Sequence, residues 1–146
     1  MKVIQAGLED LEALTGLFDD YRQFYHQPGN WAGARQFLQE RLERNESAIF
    51  LARKELQPLG FTQLYPSFSS TRMARWWILN DLYVTPKARG HGVGEALLEA
   101  AVAFARMGGA AGLQLETAHS NRAAQQLYER CGWQADLEYR TYTYRL

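Results

Sequence analysis

A glycine-rich turn carries the clearest chemical signal in the sequence. Residues 89–95 read Arg-Gly-His-Gly-Val-Gly-Glu and lie between an apolar, strand-like run and an apolar stripe with helical spacing. Alternate glycines remove the Cβ atoms that would block a ligand, so successive backbone N–H groups can converge on an anion at the positive end of a helix. The segment predicts a phosphate cradle, although a tight strand-to-helix turn would have the same composition.

Two familiar phosphate turns fit this segment less well. A Walker A loop needs Lys and then Ser or Thr after its last glycine, whereas Gly94 is followed by Glu95 and Ala96. The dinucleotide fingerprint needs a third glycine where this chain has Glu95 or, in the other register, Leu97. Only Glu116, at a strand end where a ribose-binding acid is expected, favours that fingerprint. Both classes of nucleotide site are therefore disfavoured.

A second pair of chemically capable residues follows the turn. Asn121 and Tyr128 are seven positions apart, which is two helical turns or roughly 10 Å along a helix axis, so both project from nearly the same face. A tyrosine, with a reference pKa of about 10, can protonate a basic leaving group at neutral pH. A core tyrosine and a helix N-cap are the structural alternative for this pair.

Together these motifs resemble the GCN5-related N-acetyltransferase (GNAT) superfamily. Its acetyl-CoA signature R/Q-x-x-G-x-G/A is matched from Arg89 to Gly94, and its later pattern N-x-x-A-x-x-L-Y-x-x-x-G-F/W is matched by residues 121–133. The resemblance is close from about Ile78 to Trp133 and looks most like the Hpa2-type branch. It implies an acetyl-CoA-dependent N-acetyltransferase, with acetyl-CoA as cosubstrate and no metal.

The resemblance also implies which residues bind the cosubstrate. The pyrophosphate would lie on backbone amides of the glycine turn, with a guanidinium beside it to help neutralise the charge. Main-chain groups of a strand edge would bind the pantetheine arm, and an asparagine side chain would bond to it as well. The residues so implied are Leu82, Tyr83, Val84, Arg89, Gly90, His91, Gly92, Val93, Gly94, Glu95 and Asn121.

The catalytic residues implied by the resemblance are Tyr128 and Asn80. The matching tyrosine of the family donates its proton to the CoA thiolate. Asn80 occupies the strand position at which polyamine-type relatives carry glutamate, and an amide cannot accept the proton, so deprotonation would run through water ordered by Asn80 or the amine would arrive neutral. Asp81 points to the opposite face if the strand is regular. Glu116 and His119 are lesser candidates for the base.

Aromatic and basic residues indicate the acceptor. Residues 66–77 include Arg72 and Arg75 and no acid, so this segment would repel long polycations, while the two arginines could bind a carboxylate bidentately. Solvated loop charges are the alternative for both arginines. We therefore expect a small-molecule acceptor, a primary amine or an amino acid. The candidate substrate-binding residues are Tyr25, Trp31, Tyr65, Arg72 and Arg75.

The elements that must position these residues follow a mixed pattern of apolar spacing. Helical spacing covers 8–25, 31–42 and 93–104, and strand-like runs cover 3–4, 48–53, 59–65, 75–84 and 113–117. A helix capped by Asn121 and a final strand over 138–145 would complete the order β-α-α-β-β-β-α-β-α-β, with 66–71 as a loop. This order predicts a mixed α/β sheet covered by helices, the GNAT-type acyl-CoA N-acyltransferase fold.

Composition limits the remaining possibilities. The 146 residues contain 16 Lys and Arg against 16 Asp and Glu, with a single Cys. We expect one domain over residues 1–146, with no disulfide framework. Zero net charge argues against a nucleic-acid partner. No apolar segment is long enough for a membrane span, and the N-terminus lacks a signal-peptide pattern, so a cytoplasmic location is expected.

Two further expectations concern partners and alternative functions. The aromatic C-terminal segment has more apolar surface than an exposed edge strand usually tolerates, which predicts a homodimer; coverage of the segment within one subunit is the alternative. The alternatives to a small-molecule acetyltransferase are acetylation of lysines or N-termini of proteins or peptides, and a non-catalytic regulator that binds acetyl-CoA.

Overall fold

The computed structural model describes residues 1–146 and contains five strands and four helices. These are β1 (Lys2–Gln5), α1 (Leu11–Phe24), α2 (Trp31–Glu43), β2 (Ala48–Lys54), β3 (Gln57–Ser69), β4 (Ala74–Val84), α3 (Val93–Met107), β5 (Gly112–Gln114) and α4 (Arg122–Arg130). Backbone contacts divide the chain into two compact units, Met1–Glu116 and Thr117–Leu146. None of the helices is both long and apolar enough to cross a lipid bilayer.

The first unit contains one sheet with the strand order β1-β2-β3-β4-β5. Three of its four pairings are antiparallel, and only β4 and β5 run parallel. β4 pairs with β3 from end to end except at Asn80, but it pairs with β5 only over residues 76–78. Most of the second edge of β4, including residues 80–84, therefore has no strand partner.

Helices cover the two faces of this sheet. α1 and α2 bury Leu14 and Leu38 against Phe61 of β3 and its neighbours. On the other face, Phe104 of α3 packs edge-on against Phe50, with ring centroids 5.4 Å apart. The side chain of Asn30 caps α2 by accepting a hydrogen bond from the N–H of Gly33, 3.0 Å away.

The second unit consists of α4 and the C-terminal segment. Asn121 Oδ1 caps α4 by accepting a hydrogen bond from the N–H of Ala124 at 3.2 Å. At the other end Gly132 has a φ of +91°, and the N–H of Trp133 donates to the carbonyl of Tyr128 at 2.9 Å. This is a Schellman ending, which needs glycine at the left-handed position.

The predicted mixed α/β fold is confirmed, and every predicted element through α4 is present. Two expectations were wrong. Residues 66–69 belong to β3 rather than to a loop, because they pair with residues 74–77 of β4. The expected strand over 138–145 does not form, although Tyr and Thr alternate there. A strand requires a backbone ladder with a neighbour, and residues 134–146 belong to none of the sheet's pairings.

Candidate active site

The glycine turn forms the N-terminus of α3. Gly90 and Gly92 both have a φ of +80°, in the left-handed region that favours glycine, and Gly92 is the N-cap of the helix. A Cβ built at either glycine would meet no atom within 4 Å. The glycines are therefore required by backbone conformation, and the space beside them is open rather than filled by packing.

The backbone amides of this turn are available to an anion. None of the N–H groups of residues 90–95 donates a hydrogen bond of good geometry within the protein, and the first to do so is that of Ala96, to the carbonyl of Gly92 at 3.0 Å. Unpaired amides at a helix N-terminus coincide with the positive end of the helix dipole. This arrangement can hold a phosphate or pyrophosphate.

Arg89 lies between β4 and α1. Its Nε donates a hydrogen bond to the carbonyl of Val84 at 2.9 Å. Its guanidinium carbon is 5.5 Å from the ring centroid of Phe24 and 5.6 Å from that of Tyr83, within the range of a cation–π contact. The side chain therefore connects the open edge of β4, where Leu82 and Val84 expose main-chain groups, to the end of α1.

An irregularity interrupts β4 at Asn80. Pairing with β3 passes from Leu64 opposite Leu79 to Gln63 opposite Asp81, so Asn80 has no partner residue. One extra residue in a strand is a β-bulge, which disturbs the alternation of side chains between the two faces.

The bulge changes the face to which odd-numbered residues of β4 point. Trp77 packs on Phe104 of α3, with ring centroids 5.2 Å apart, whereas Tyr83 packs on Tyr21 of α1 at 6.2 Å. In a regular strand residues 77 and 83 would share a face. Asp81 follows the bulge and accepts a hydrogen bond from Asn80. The expectation that Asp81 points away from Asn80 was therefore wrong, because it assumed a regular strand.

Asp81 is a buried carboxylate at the centre of a hydrogen-bond network. Gln63 Nε2 donates to Asp81 Oδ2 at 2.6 Å, and Asn80 Nδ2 donates to Oδ1 at 3.0 Å. The Tyr21 hydroxyl also bonds to Asp81 and lies 3.4 Å from the carbonyl oxygen of Asn80. Burial raises the pKa of Asp81 above its ordinary value, and the three hydrogen bonds offset part of that rise.

Tyr65 borders the same network. It lies two residues beyond Gln63 on β3, and therefore on the same face as Gln63. Burial raises the pKa of Tyr65 well above its ordinary value; the charge of Asp81 adds to the rise and Arg41 opposes it. The Tyr65 hydroxyl therefore stays protonated at neutral pH and can donate a hydrogen bond.

The two candidate arginines contact different tryptophans. Arg72 lies over Trp76, 5.1 Å from its ring centroid, and Arg75 lies over Phe68 at 4.2 Å and Trp77 at 5.6 Å. Neighbouring residues of a regular strand segment point to opposite faces, and Trp77 is on the α3 side. The structure therefore does not bring the two guanidinium groups together for one carboxylate.

The two aromatic candidates on α1 and α2 are also separate. Tyr25 is exposed just after α1, with its ring edge-on to Tyr21 at 5.0 Å. Trp31 is exposed at the start of α2 and packs near Gly16 of α1. The two rings make no contact with each other.

In the second unit, the candidate residues lie on or beside α4. Tyr128 is half-buried, and its ring centroid is 6.4 Å from that of Trp133. Asn121 caps the helix with Oδ1, which leaves Nδ2 as its remaining polar group. His119 is exposed, and so is Glu116, the last residue of the first unit.

Sequence reasoning missed the network around Asp81. Gln63 and Tyr21 were not expected to act together, because they lie far apart in the chain. One signal was available: Asn80 and Asp81 are adjacent polar residues in an otherwise apolar strand segment, and such a pair breaks the alternation of a regular strand.

Comparison with known proteins agrees with this geometry. The sequence model of the Acetyltransferase (GNAT) family matches residues 13–133. An uncharacterised N-acetyltransferase of Bacillus subtilis, YhfO, is 48% identical over 136 residues, covering 93% of this chain and 91% of the relative. A probable acetyltransferase of Haemophilus influenzae is 36% identical over 105 residues, covering 71% of this chain and 72% of the relative.

A solved structure is also similar over the whole chain. The crystal structure of a probable acetyltransferase superposes with a TM-score of 0.95 at 42% sequence identity, covering 100% of this chain and 98% of that one.

Replacing Gly92 with Val is expected to weaken the binding of coenzyme A by about tenfold or more, because a branched side chain is strained at positive φ and occupies the open side of the cradle. Gly109→Val is the matched control, since Gly109 has a φ of +76° and equally open space. Calorimetric titration with coenzyme A compares the two. Equal affinity in both folded variants would show that the turn does not bind the pyrophosphate.

Proposed function

The chain belongs to the acetyltransferase (GNAT) family, and from this premise we propose that it transfers the acetyl group of acetyl-CoA to the primary amine of a small molecule, an amine or an amino acid. The observation that carries the proposal is the glycine turn, whose unpaired amides open at the N-terminus of a 15-residue helix. Left-handed glycines beside open space also follow α3 and α4, at Gly109 and Gly132, so the unpaired amides of residues 90–95 are what distinguish this turn.

The residues present fit the cosubstrate. Amides of residues 90–95 would bind the pyrophosphate, and the unpaired edge of β4 at residues 82–84 offers main-chain groups to the pantetheine arm. Arg89 and the Nδ2 of Asn121 are proposed to add hydrogen bonds, following the motif. Acetyl-CoA supplies the acetyl group as a thioester, which an amine attacks directly.

Residues of the protein would then carry out the two proton transfers. The C–N bond forms as the C–S bond breaks, so the amine must lose a proton and the departing thiolate must gain one. Tyr128 is proposed as the general acid for two reasons. A phenol is acidic enough to protonate a basic thiolate, and Tyr128 matches the tyrosine that has this role in the family motif. Asn80 is proposed to bind the amine or a water molecule that removes its proton.

Charge and burial support a small acceptor. On β4 Asn80 is exposed, and the neighbouring carboxylate of Asp81 is buried; Asp20 of α1, whose charge acts on Tyr83, is an exposed carboxylate near this strand. A polyamine would need several accessible carboxylates. Neutral Tyr65 and the Arg72 guanidinium over Trp76 favour instead a short amine or an amino acid on the α1 face of β4.

An acceptor screen with acetyl-CoA, reading released thiol, tests the function and the role of Tyr128 together. Primary amines, amino acids of both configurations and lysine peptides are compared. Tyr128→Phe should lower turnover by about 10²- to 10⁴-fold, because it removes the acid, while CoA affinity changes little. Tyr139→Phe, at an exposed tyrosine, is the control. A wild-type rate of the chemical step in Tyr128→Phe would exclude Tyr128 as the general acid. If peptides were the best acceptors, the small-molecule proposal would be wrong.

Because Arg72 and Arg75 lie on different faces, only Arg72 is proposed to bind the carboxylate of an amino acid. Arg72→Ala should raise the KM for an amino acid without changing that for the corresponding decarboxylated amine, because the guanidinium pairs with the carboxylate. Arg75→Ala should leave both constants unchanged, since Arg75 stacks on the opposite face. Steady-state kinetics with both substrates measures the difference. Identical amino-acid KM values in wild type and Arg72→Ala would contradict the assignment.

We also propose that the chain forms a homodimer through its C-terminal segment. Tyr139, Tyr142 and Tyr144 are each at least 80% exposed, and so are Leu137 and Leu146. Five uncovered large side chains within ten residues of the chain support an interaction surface in this segment. A second copy is the proposed occupant, because the alternating segment has the pattern of a strand and β5 ends the sheet with an unpaired edge.

Light scattering at micromolar concentration should give twice the 16.7 kDa chain mass. Tyr142→Glu with Tyr144→Glu should yield the monomer, because two carboxylates would have to be desolvated in the interface. Leu56→Glu is the control, since Leu56 is equally exposed in the β2–β3 turn. A wild-type mass of 16.7 kDa would rule out the dimer.

A further inference from the structure

Asp81 fixes the orientation of the Asn80 carboxamide. Asn80 Nδ2 donates to Asp81 Oδ1 at 3.0 Å. A carboxylate only accepts hydrogen bonds, so the amide must turn its NH₂ group towards Asp81 and its carbonyl oxygen away. Asp81 is 4% exposed, whereas Asn80 is exposed. The oxygen Oδ1 is therefore the half of the Asn80 amide that is free of the buried network.

The Asp81 carboxylate is itself held from two other elements. Gln63 of β3 donates to Oδ2 at 2.6 Å, and the Tyr21 hydroxyl of α1 bonds to the same carboxyl group. Gln63 is fully buried, and its Oε1 has no hydrogen-bond partner. Gln63 thus turns its NH₂ to Asp81 even though its own oxygen is left without a donor, so the carboxylate dominates the orientation of both amides.

We propose that Asp81 is a positioning residue for the acceptor amine, and that it acts by holding Asn80 with Oδ1 directed at the amine N–H. An alkylammonium group offers only N–H donors, which an oxygen complements and an NH₂ group repels. Asp81 does not touch the amine, because the carboxylate is buried beneath Asn80. The inference rests on the proposed amine acceptor and assigns the residue that prepares its site.

The ionisation of Asp81 provides a test within the wild-type protein. Two other titratable groups act on or respond to Asp81: Tyr21 of α1 hydrogen-bonds to it, and its charge raises the pKa of Tyr65 of β3. Burial also raises the pKa of Tyr65, so its hydroxyl stays neutral over the acidic range of the titration. Protonated Asp81 can donate to Asn80 Oδ1 and so release the fixed orientation. Since burial raises the pKa of Asp81, amine affinity should be complete above that pKa and fall as the pH drops through it.

The experiment uses 2-phenylethylamine as the probe with protein saturated in coenzyme A. Its ammonium group stays protonated below about pH 9, as alkylammonium groups do, so any acid-side loss of affinity belongs to the protein. The side-chain amide signals of Asn80 in ¹⁵N-labelled protein, identified by their absence from Asn80→Ala, report binding without turnover. We expect a saturable shift of these signals in the wild type.

Asp81→Asn should raise the apparent dissociation constant of the amine at least about tenfold and leave CoA affinity unchanged. Glu99→Gln, the same charge change on an exposed position of α3, should change neither. If Asp81→Asn does not fold, the wild-type pH titration decides, and the amine affinity should fall as the pH drops through the raised pKa of Asp81.

Three outcomes would overturn the inference: no saturable shift in the wild type, equal amine affinity in Asp81→Asn, or wild-type affinity that is flat in acid. A parallel assay of released thiol separates this inference from the proposed function. Binding that depends on Asp81 without acetylation would refute acetyl transfer and support the positioning role. Acetylation by the wild type together with unchanged amine affinity in Asp81→Asn would support acetyl transfer and refute the positioning role.

Discussion

Backbone hydrogen bonding along β4 is the constraint on which the rest of the site depends. Buried N–H and C=O groups need partners, and β4 finds them along one edge, except at Asn80, but over only three residues of the other. The strand is therefore rigidly placed by β3 while its second edge stays open. The bulge at Asn80 begins this open stretch, and the glycine turn follows its end, so one strand positions both proposed binding regions.

The network at the bulge is costly in stability. An unsatisfied buried oxygen such as Gln63 Oε1 costs about 1–3 kcal/mol, and burial opposes the charge of Asp81. An apolar pair at these positions would remove both costs. Local departures of this kind, surrounded by a well-packed core, are typical of functional sites. The next pair along the ladder, Leu64 opposite Leu79, is apolar, so the polar network is confined to the bulge.

Local chemistry could be predicted from the sequence, and long-range geometry could not. Gly92 and Gly132 stand where only a left-handed residue suits the backbone, and Asn121 is an N-cap by type and position. The bulge adds one residue to β4 without any characteristic residue type. The pattern of apolar residues in the sequence therefore does not locate it. The same limit applies to Arg72 and Arg75, whose separation depends on which face each tryptophan occupies.

The bulge also determines which change of length this strand could accommodate. Residues before Asn80, such as Trp77, pack towards α3, and residues after it, such as Tyr83, pack towards α1. Deleting Asn80 would join Leu79 directly to Asp81, which already point to opposite faces, and would restore a regular ladder with both halves of the strand on their present faces. The packing of the two faces therefore does not require the extra residue, whereas the two-residue β2–β3 turn at Glu55 and Leu56 fixes the register of its hairpin and cannot change length without shifting it.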